Sequence, residues 1–374
     1  MSKVLIIAPY YKPGFRAGGP IQSIYNLCKL VGDSMELYVL TQSKDLGSEQ
    51  RMEVVENKWL EFENHFVKYL DVTHFNGIAV YRECQNLNAK VVYFNSFFSP
   101  TTWMFKGYML FKSLDVKIII APRGELDKGA LFFGSIRKHV FLIFYKLFLN
   151  RGYVFHATSE KEINEIRDWF PNQIVFIENI PRVMDYRPVK IAKEYESTNL
   201  AFISRISSKK NLKFCIDILS ILEIEGILNF DIIGPIEDES YWKSTVKLFE
   251  KLPKNIVVRY LGEIRQEQML DFTVQYHYLF LPTLGENYGH VIYECLSYGI
   301  PVMVSDKSPW KQENNGVFVC KLDDPACWKQ LIEGKHKLEN SDYDMESSLA
   351  FNFARGRVNF EKLLTEYKDL LYEN

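Results

Sequence analysis

The 374-residue sequence has no surplus of either charge: 45 lysines and arginines stand against 47 aspartates and glutamates, a formal net charge of -2. No global field draws such a chain to nucleic acid, so an electrostatic partner must find a local patch. Cysteine is scarce. The six residues Cys28, Cys84, Cys215, Cys295, Cys320 and Cys327 are scattered without a Cys-x-x-Cys pair, which argues against a disulfide or zinc framework and for free thiols in a reducing cytoplasm. No signal-peptide pattern stands ahead of the strand-like "MSKVLIIAP". No apolar run reaches the roughly 18 residues of a membrane span; "VFLIFYKLFL", Val140 to Leu149, comes nearest and is broken by Lys146. A His-Glu-x-x-His cluster is missing, so no metal and no other cofactor is expected. Without a Gly-x-Gly-x-x-Gly fingerprint a dinucleotide-dependent enzyme is disfavoured as well.

Hydrophobic residues are abundant at 47%, with charged ones at 25%, the balance of a globular chain. At roughly 150 residues per domain its length suggests two lobes, each with its own core. "KVLIIAP", Lys3 to Pro9, has the continuous apolar character of a buried parallel strand, and Ile21, Ile24, Cys28 and Val31 then recur at helical spacing. "ELYVLT", "VVYFNS", "KIIIAPRG" and "YVFHATS" read as further strands. From Asn199 the alternation is cleaner: "NLAFISRI", "NFDIIG", "IVVRYLG" and "HYLFLP" are separated by the helical "NLKFCIDILSIL", "YWKSTVKLFEKL" and "QEQMLDFTV". That alternation implies parallel sheets with right-handed crossovers. The expected fold class is α/β, two facing Rossmann-like doubly wound domains with a cleft at the carboxyl ends of both sheets, where open sheets bind ligands. The proline-bearing, mixed-charge "ENIPRVMDYRPVKIAKEYEST" is the linker candidate, giving domains 1–183 and 184–357. The amphipathic tail, 358–374, is expected as a helix crossing back onto the first domain.

"PTLGENYGHVIYECLSYGIPVMVSD", Pro282 to Asp306, begins where a strand ends and carries two glutamates with a glycine between them. Its helix is expected from about Gly289 to Tyr298, with Ile292, Cys295, Leu296 and Gly299 as the buried stripe and Pro301 behind the stop. His290 and Glu294 then share a face away from that stripe, and Glu286 precedes the first turn. Gly289 presents no side chain to a ligand at the helix N-terminus, where an anion gains roughly 0.3–1 kcal/mol. Carboxylates on either side can accept hydrogen bonds from sugar hydroxyls. An anion flanked by hydroxyls on both sides is the layout of a nucleotide sugar. Spacing alone leaves a plainer reading open, in which Glu286 is a solvated acid or cap and Glu294 merely pairs with His290.

"ISRISSKKNLKFCIDIL" also starts at a strand end, and its Arg205 and Lys210 could meet the negative charge that develops on a departing diphosphate, or simply form a solvated basic loop. "RAGGPIQSIYNL" offers Gly18, Gly19 and Pro20 at the opening of the first helix, an open anion site or an ordinary turn.

The segment from Pro282 resembles the Glu-x7-Glu signature of glycosyltransferase family 4, retaining enzymes of the GT-B fold, and "SRISSKKN" is similar to the family's Ser-Arg-Ile-x-x-Lys-Lys-Asn/Gly motif. The resemblance covers most of the C-terminal half and patches of the N-terminal half. It implies that Glu286 meets the donor hexose, Glu294 the ribose hydroxyls, and Asn287, Tyr288, Gly289 and His290 the sugar or phosphates. Arg205 and Lys210 would then stabilise the leaving diphosphate without a metal, and Gly18 and Gly19 would lie across the cleft from the donor. "APRGELDKGAL" resembles the family's Pro-His-Gly-x-Leu stretch, with Arg123 in place of the histidine, so that Arg123, Glu125 and Asp127 are candidates to touch the transferred hexose. A structural role for that turn is the alternative. His156 in "HATS" matches a family strand end, as ligand or as satisfied core group, and Asn179 in "IENIPR" matches a hinge asparagine.

Between Lys128 and Ser159 there is no acidic residue, and Lys128, Arg137, Lys138, Lys146 and Arg151 are interleaved with Phe132, Phe133, Phe141, Phe144, Tyr145 and Phe148. Such a stretch can lie on an anionic membrane surface, or pack its aromatics in a core and solvate its bases. With the resemblance, the membrane reading points to transfer of a hexose from a nucleotide sugar to a polyprenyl-linked glycan in bacterial surface-polysaccharide assembly, at the inner face of the plasma membrane. The alternatives are a GT-B nucleotide-sugar epimerase and a non-catalytic nucleotide-sugar-binding protein.

Overall fold

A computed structural model of the chain describes residues 3–112, 114–127, 152–182, 190–264 and 273–372, with 142, 143, 145, 146 and 268. The chain divides into two compact units, Met1–Pro181 with Asn359–Asn374, and Arg182–Val358. The division falls at Pro181, against residue 183 expected from the linker composition.

In the first unit β1 (Lys3–Ile7) pairs in parallel with β2 (Glu36–Gln42) on one side and β5 (Val91–Phe94) on the other. The sheet has eight strands in the order β3-β4-β2-β1-β5-β6-β7-β8. It is completed by β3 (Trp59–Phe62), β4 (His65–Leu70), β6 (Lys117–Ile120), β7 (Val154–Ala157) and β8 (Ile174–Phe176). All pairings are parallel except the edge hairpin β3–β4. Sequence reading missed that hairpin because charged Glu61 and Lys68 alternate with its apolar residues, the pattern of an edge pair half open to solvent. The central strands bury every residue of "VVYF" and nearly all of "KVLII", as a sheet covered on both faces requires.

The covering helices are α1 (Gly19–Val31), α2 (Gly77–Leu87), α3 (Pro100–Met109) and α4 (Glu160–Trp169). Of the basic aromatic stretch from Lys128, only a few residues fall among those described: Leu142 and Tyr145 are buried, whereas Ile143 and Lys146 are exposed. Lys128, Arg137, Lys138, Arg151 and the phenylalanines of that stretch lie outside the described residues.

The second unit is a six-stranded, wholly parallel sheet in the order β11-β10-β9-β12-β13-β14. Its strands are β9 (Ser197–Ile203), β10 (Ile227–Ile233), β11 (Ile256–Gly262), β12 (Tyr278–Leu281), β13 (Val302–Ser305) and β14 (Val317–Cys320). Helices α5 (Leu212–Leu219), α6 (Glu239–Val246), α7 (His290–Ser297), α8 (Pro325–His336) and α9 (Asn340–Arg357) accompany them. The helix expected at "QEQMLDFTV" lies mostly outside the described residues.

Cys320 at the end of β14 and Cys327 in the first turn of α8 form a disulfide, which corrects the expectation of six free thiols; Cys28, Cys84, Cys215 and Cys295 are reduced and buried. A tight turn is the reason. Asp324 caps α8 by accepting from the Cys327 amide at 3.1 Å, so strand end and helix start are folded together with their Cα atoms 6.0 Å apart, within bridging range.

The amphipathic tail forms α10 (Phe360–Leu371), which packs against α1 in the first unit and buries Leu363, Tyr367, Leu370 and Leu371. Leu371 is fully buried. Leu371→Ala is expected to destabilise the first unit by roughly 2–5 kcal/mol. Urea denaturation followed by circular dichroism measures the loss, and an unchanged midpoint would mean that α10 adds nothing to that core.

Candidate functional site

In the second unit, β9, β10 and β11 run outward on one side, while β12, β13 and β14 run outward on the other, so the switch point lies between β9 and β12. Chain connections diverge there and leave a crevice at the carboxyl ends, where open α/β sheets take ligands. The loops leaving β9, β12 and β13 are tied together at that edge.

The Leu284 amide donates to the Lys209 carbonyl at 2.9 Å, and the Asn211 side-chain amide donates to the Pro282 carbonyl at 3.0 Å. From the other flank the Ser305 hydroxyl donates to the Thr283 carbonyl at 2.5 Å, and the Trp310 indole N–H to the Tyr288 carbonyl at 2.5 Å. The loop from Pro282 to Gly289 is therefore held from both sides.

That clamp places the charges. Lys210, at the end of a short 3-10 turn after β9, donates to Glu286 Oε2 at 2.5 Å, with both side chains largely buried. Burial alone would raise the Glu286 carboxyl, but the Lys210 ammonium, with Lys209 and Arg205 beyond it, outweighs that and holds the pKa below the usual carboxylate range. Glu286 is thus an anion presented beside cations. Arg205, at the end of β9, donates from its NH1 to Glu237 Oε1 at 2.7 Å. Glu237 was not singled out from sequence, since an acid in "GPIEDES" after a strand reads as ordinary loop.

Gly289 caps α7 with φ 80° and ψ 66°, and a Cβ there would lie 2.7 Å from Ile292 Cδ1 and 3.1 Å from Glu286 Cγ. Backbone conformation and the approach of Glu286 thus require glycine at this position whether or not a ligand binds. Tyr288 is buried and its ring meets those of His290 and Trp310. Asn287 stands between Glu286 and Tyr288 in the same loop. Glu294 departs from expectation. It is 5% exposed, buried alongside Ile292, Tyr293, Cys295 and Leu296 in a helix against which α9 packs. His290, one turn earlier, is only half-buried.

In the first unit the switch point lies between β1 and β5. Gly18, with φ 63° and ψ -117°, caps α1, and Gly19 and Pro20 open the helix. Asp45 fixes the preceding loop by accepting from the amides of Phe15 at 2.8 Å and Arg16 at 3.1 Å. The Asn95 side chain ties β5 to the start of α1 by donating to the Pro20 carbonyl at 3.1 Å.

Arg123 sits after β6 in the left-handed region at φ 55°. Its Nε donates to Asn95 Oδ1 and its NH2 to the Tyr93 hydroxyl, both at 2.8 Å, and its NH1 donates to Asn179 Oδ1. Tyr93 in turn donates to His156 Nδ1 at 2.7 Å, and His156 Nε2 donates to the Ile177 carbonyl at 3.0 Å. His156 is therefore a satisfied core histidine, and Arg123 is bound on all sides by its own unit. Glu125 accepts from the Ser96 hydroxyl and the amides of Phe97 and Phe98 at 2.7–2.9 Å, while Asp127 pairs with Lys161. Asn95, Tyr93 and Glu162 were missed. Glu162 accepts from the amides of Gly124 at 2.6 Å and Thr158 at 2.7 Å, and the Ser-x-x-Glu spacing from Ser159 was its only sequence signal.

Two α/β units with doubly wound sheets define a class, and comparison identifies it as the GT-B fold. The sucrose-phosphate synthase of Thermosynechococcus elongatus superposes with a TM-score of 0.73 at 12% identity, covering 99% of this chain and 98% of that one. Anabaena Alr3699/HepE in complex with UDP and glucose gives 0.71 at 13% identity over 99% of both chains. WaaG, a glycosyltransferase involved in lipopolysaccharide biosynthesis, gives 0.68 at 13% over 99% of this chain and 100% of that one. Residues 187–334 match the family described as glycosyl transferases group 1, a span that contains Arg205, Lys210, Glu286 and Glu294. An uncharacterized 41.2 kDa protein in the cps region of Klebsiella pneumoniae is 24% identical over 129 residues, 34% of this chain and 33% of that protein. The match thus spans about a third of that relative's length.

The buried histidines carry a pH dependence. Burial, reinforced by the nearby Arg123 charge, drives the His156 pKa from 6.5 down to about 3, and burial drives His65 to about 4. Both stay neutral in the folded chain while the unfolded chain takes up protons below the ordinary value. Stability held above about pH 6.5 is therefore lost on acidification, by up to about 1.4 kcal/mol per pH unit per histidine. Thermal melts from pH 8 to pH 4 should show a plateau followed by a fall, shallower in His156→Gln; an equal slope in that variant would remove His156 as a cause.

Proposed function

We propose that the chain is a retaining hexosyltransferase of glycosyltransferase family 4 that moves a hexose from a nucleotide sugar to an acceptor hydroxyl. The observation that carries this reading is the Lys210–Glu286 pair, fixed at the switch point of the sheet inside the span matching glycosyl transferases group 1. A cation and a hydroxyl acceptor side by side suit a sugar phosphate. The binding of UDP and glucose by the Anabaena protein of the same fold supports a nucleotide-sugar donor.

In this reading the second unit takes the donor and the first the acceptor. Glu286 accepts from hexose hydroxyls, Glu294 from the ribose, and the backbone of Asn287, Tyr288, Gly289 and His290 meets sugar or phosphates. Arg205 and Lys210 offset the charge that builds on the leaving diphosphate, a role that needs no metal. The acceptor is a polyprenyl-linked glycan of bacterial polysaccharide assembly, reached by a chain lying peripherally on the inner face of the plasma membrane. The involvement of WaaG in lipopolysaccharide biosynthesis and the cps-region setting of the Klebsiella relative support the pathway class. No described helix is long and apolar enough to cross a membrane.

A second reading, binding without turnover, is favoured by one observation: Arg123, standing where the family stretch has histidine, is committed to Asn95, Tyr93 and Asn179.

A thermal-shift screen against UDP-, GDP- and ADP-sugars should identify a donor that raises the melting temperature. With that donor, Glu286→Ala should abolish transfer while weakening nucleotide affinity less than tenfold, and Glu294→Ala should mainly weaken nucleotide binding. Equal, mild effects of both would sink the assignment. Donor binding without transfer to any lipid-linked glycan would favour the second reading.

A further inference from the structure

Arg205 leaves β9 beside the switch point, and the segment opposite it comes from the end of β10. The two are locked together by backbone contacts. Gly234, with φ 137°, lies so close that a Cβ would fall 2.0 Å from the Ser204 carbonyl oxygen. Ile206 and Ile236 form a parallel bridge, and the amides of Glu237 and Asp238 both donate to the Ile206 carbonyl, at 3.1 and 3.2 Å. Asp238 then caps α6 by accepting from the Tyr241 amide at 2.9 Å. The Glu237 backbone is thereby fixed two residues before the helix and across from Arg205.

Its carboxylate uses that placement to accept a hydrogen bond from Arg205 NH1, at Oε1 and 2.7 Å. The pair is open to water, with side chains 29% and 38% exposed, so it adds little to folding. What it supplies is direction. A guanidinium is a planar fork of five donors, and a carboxylate that takes one of them on NH1 restrains the plane while leaving the others to meet an anion. Among the described residues no other partner holds the Arg205 side chain. Its charge is close enough to contribute at Glu286.

We infer that Glu237 is a positioning residue for Arg205, restraining the guanidinium so that its remaining N–H donors face the diphosphate of a nucleotide ligand. This rests on the donor-site reading above. Glu237 opposes an anion by its charge, but an unheld arginine at an exposed loop would have to be ordered on each binding event, and holding it beforehand is the stronger effect.

The test is a binding cycle by isothermal titration calorimetry. It uses the full chain and whichever of UDP, GDP or ADP the wild type binds most tightly. Glu237→Ala should weaken that ligand about five- to tenfold with an unchanged melting temperature. Glu237→Gln, whose amide oxygen can still accept from Arg205, should recover most of the loss. In an Arg205→Ala background, itself weaker by tenfold or more, Glu237→Ala should cost nothing further, a non-additivity expected only if Glu237 acts through Arg205. Affinity equal to or tighter than wild type in Glu237→Ala, or a loss undiminished in the Arg205→Ala background, overturns the inference while leaving the donor site standing. A wild type that binds none of the three nucleotides overturns the donor-site reading and this inference with it.

Discussion

Because β9 pairs in parallel with β12, every loop that follows a strand in the second unit leaves by the same edge, and the two loops beside the switch point cannot avoid one another. The hydrogen bonds from Leu284 and Asn211 to the neighbouring loop are consequences of that proximity. So is the meeting of Lys210 with Glu286, residues 76 positions apart. A shift of the β9–β12 register would carry one loop along the edge relative to the other and separate the pair before any side chain changed.

The charges at this edge come in two pairs of different character. Lys210 and Glu286 are mostly withdrawn from water, so their attraction is set against a desolvation cost, and their contribution is to geometry more than to folding. Arg205 and Glu237 remain solvated. Each cation is held by a carboxylate from a different loop, which keeps the local charge near balance while no anion is present. On the proposed donor-site reading, a diphosphate arriving there would engage guanidinium and ammonium donors that are already restrained, with less side-chain freedom to lose.

The strands and the motif positions were legible because they depend on near neighbours in sequence. Gly299 and Pro301 mark the stop of α7, and continuous apolar runs mark β1, β5 and β12. What escaped reading depends on distant partners. The hairpin of β3 and β4 alternates charge as an exposed edge does, and β13 in "PVMVS" follows directly on the Gly299–Pro301 helix stop. Cys320 and Cys327 carry no spacing signature, since a capped turn brings them together. Periodicity within its own helix places Glu294 away from the buried stripe, whereas the residue is 5% exposed in a helix against which α9 packs. In sequence Gly289 looks like room for a ligand, whereas its positive φ and the crowding of Ile292 and Glu286 already demand glycine.

Arg123 shows the same limit most clearly, because a motif position identifies a place without fixing what the residue there does. Three of its hydrogen-bond acceptors, Tyr93, Asn95 and Asn179, come from β5, the loop after it and the segment following β8. Through Tyr93 the chain of bonds continues to His156, whose ring lies edge-on to Tyr367 of α10, and the Tyr367 hydroxyl closes on the Glu178 carbonyl at 3.1 Å. A histidine in place of Arg123 offers at most two ring N–H donors and cannot reach all three acceptors. The arginine is therefore matched to Asn95 and Asn179 as a set, and those asparagines in turn fix the Pro20 carbonyl and Ser23 at the start of α1. Whatever Arg123 presents to a ligand, its orientation is determined by the scaffold, and the left-handed backbone that carries it is affordable because so many fixed partners hold the side chain in place.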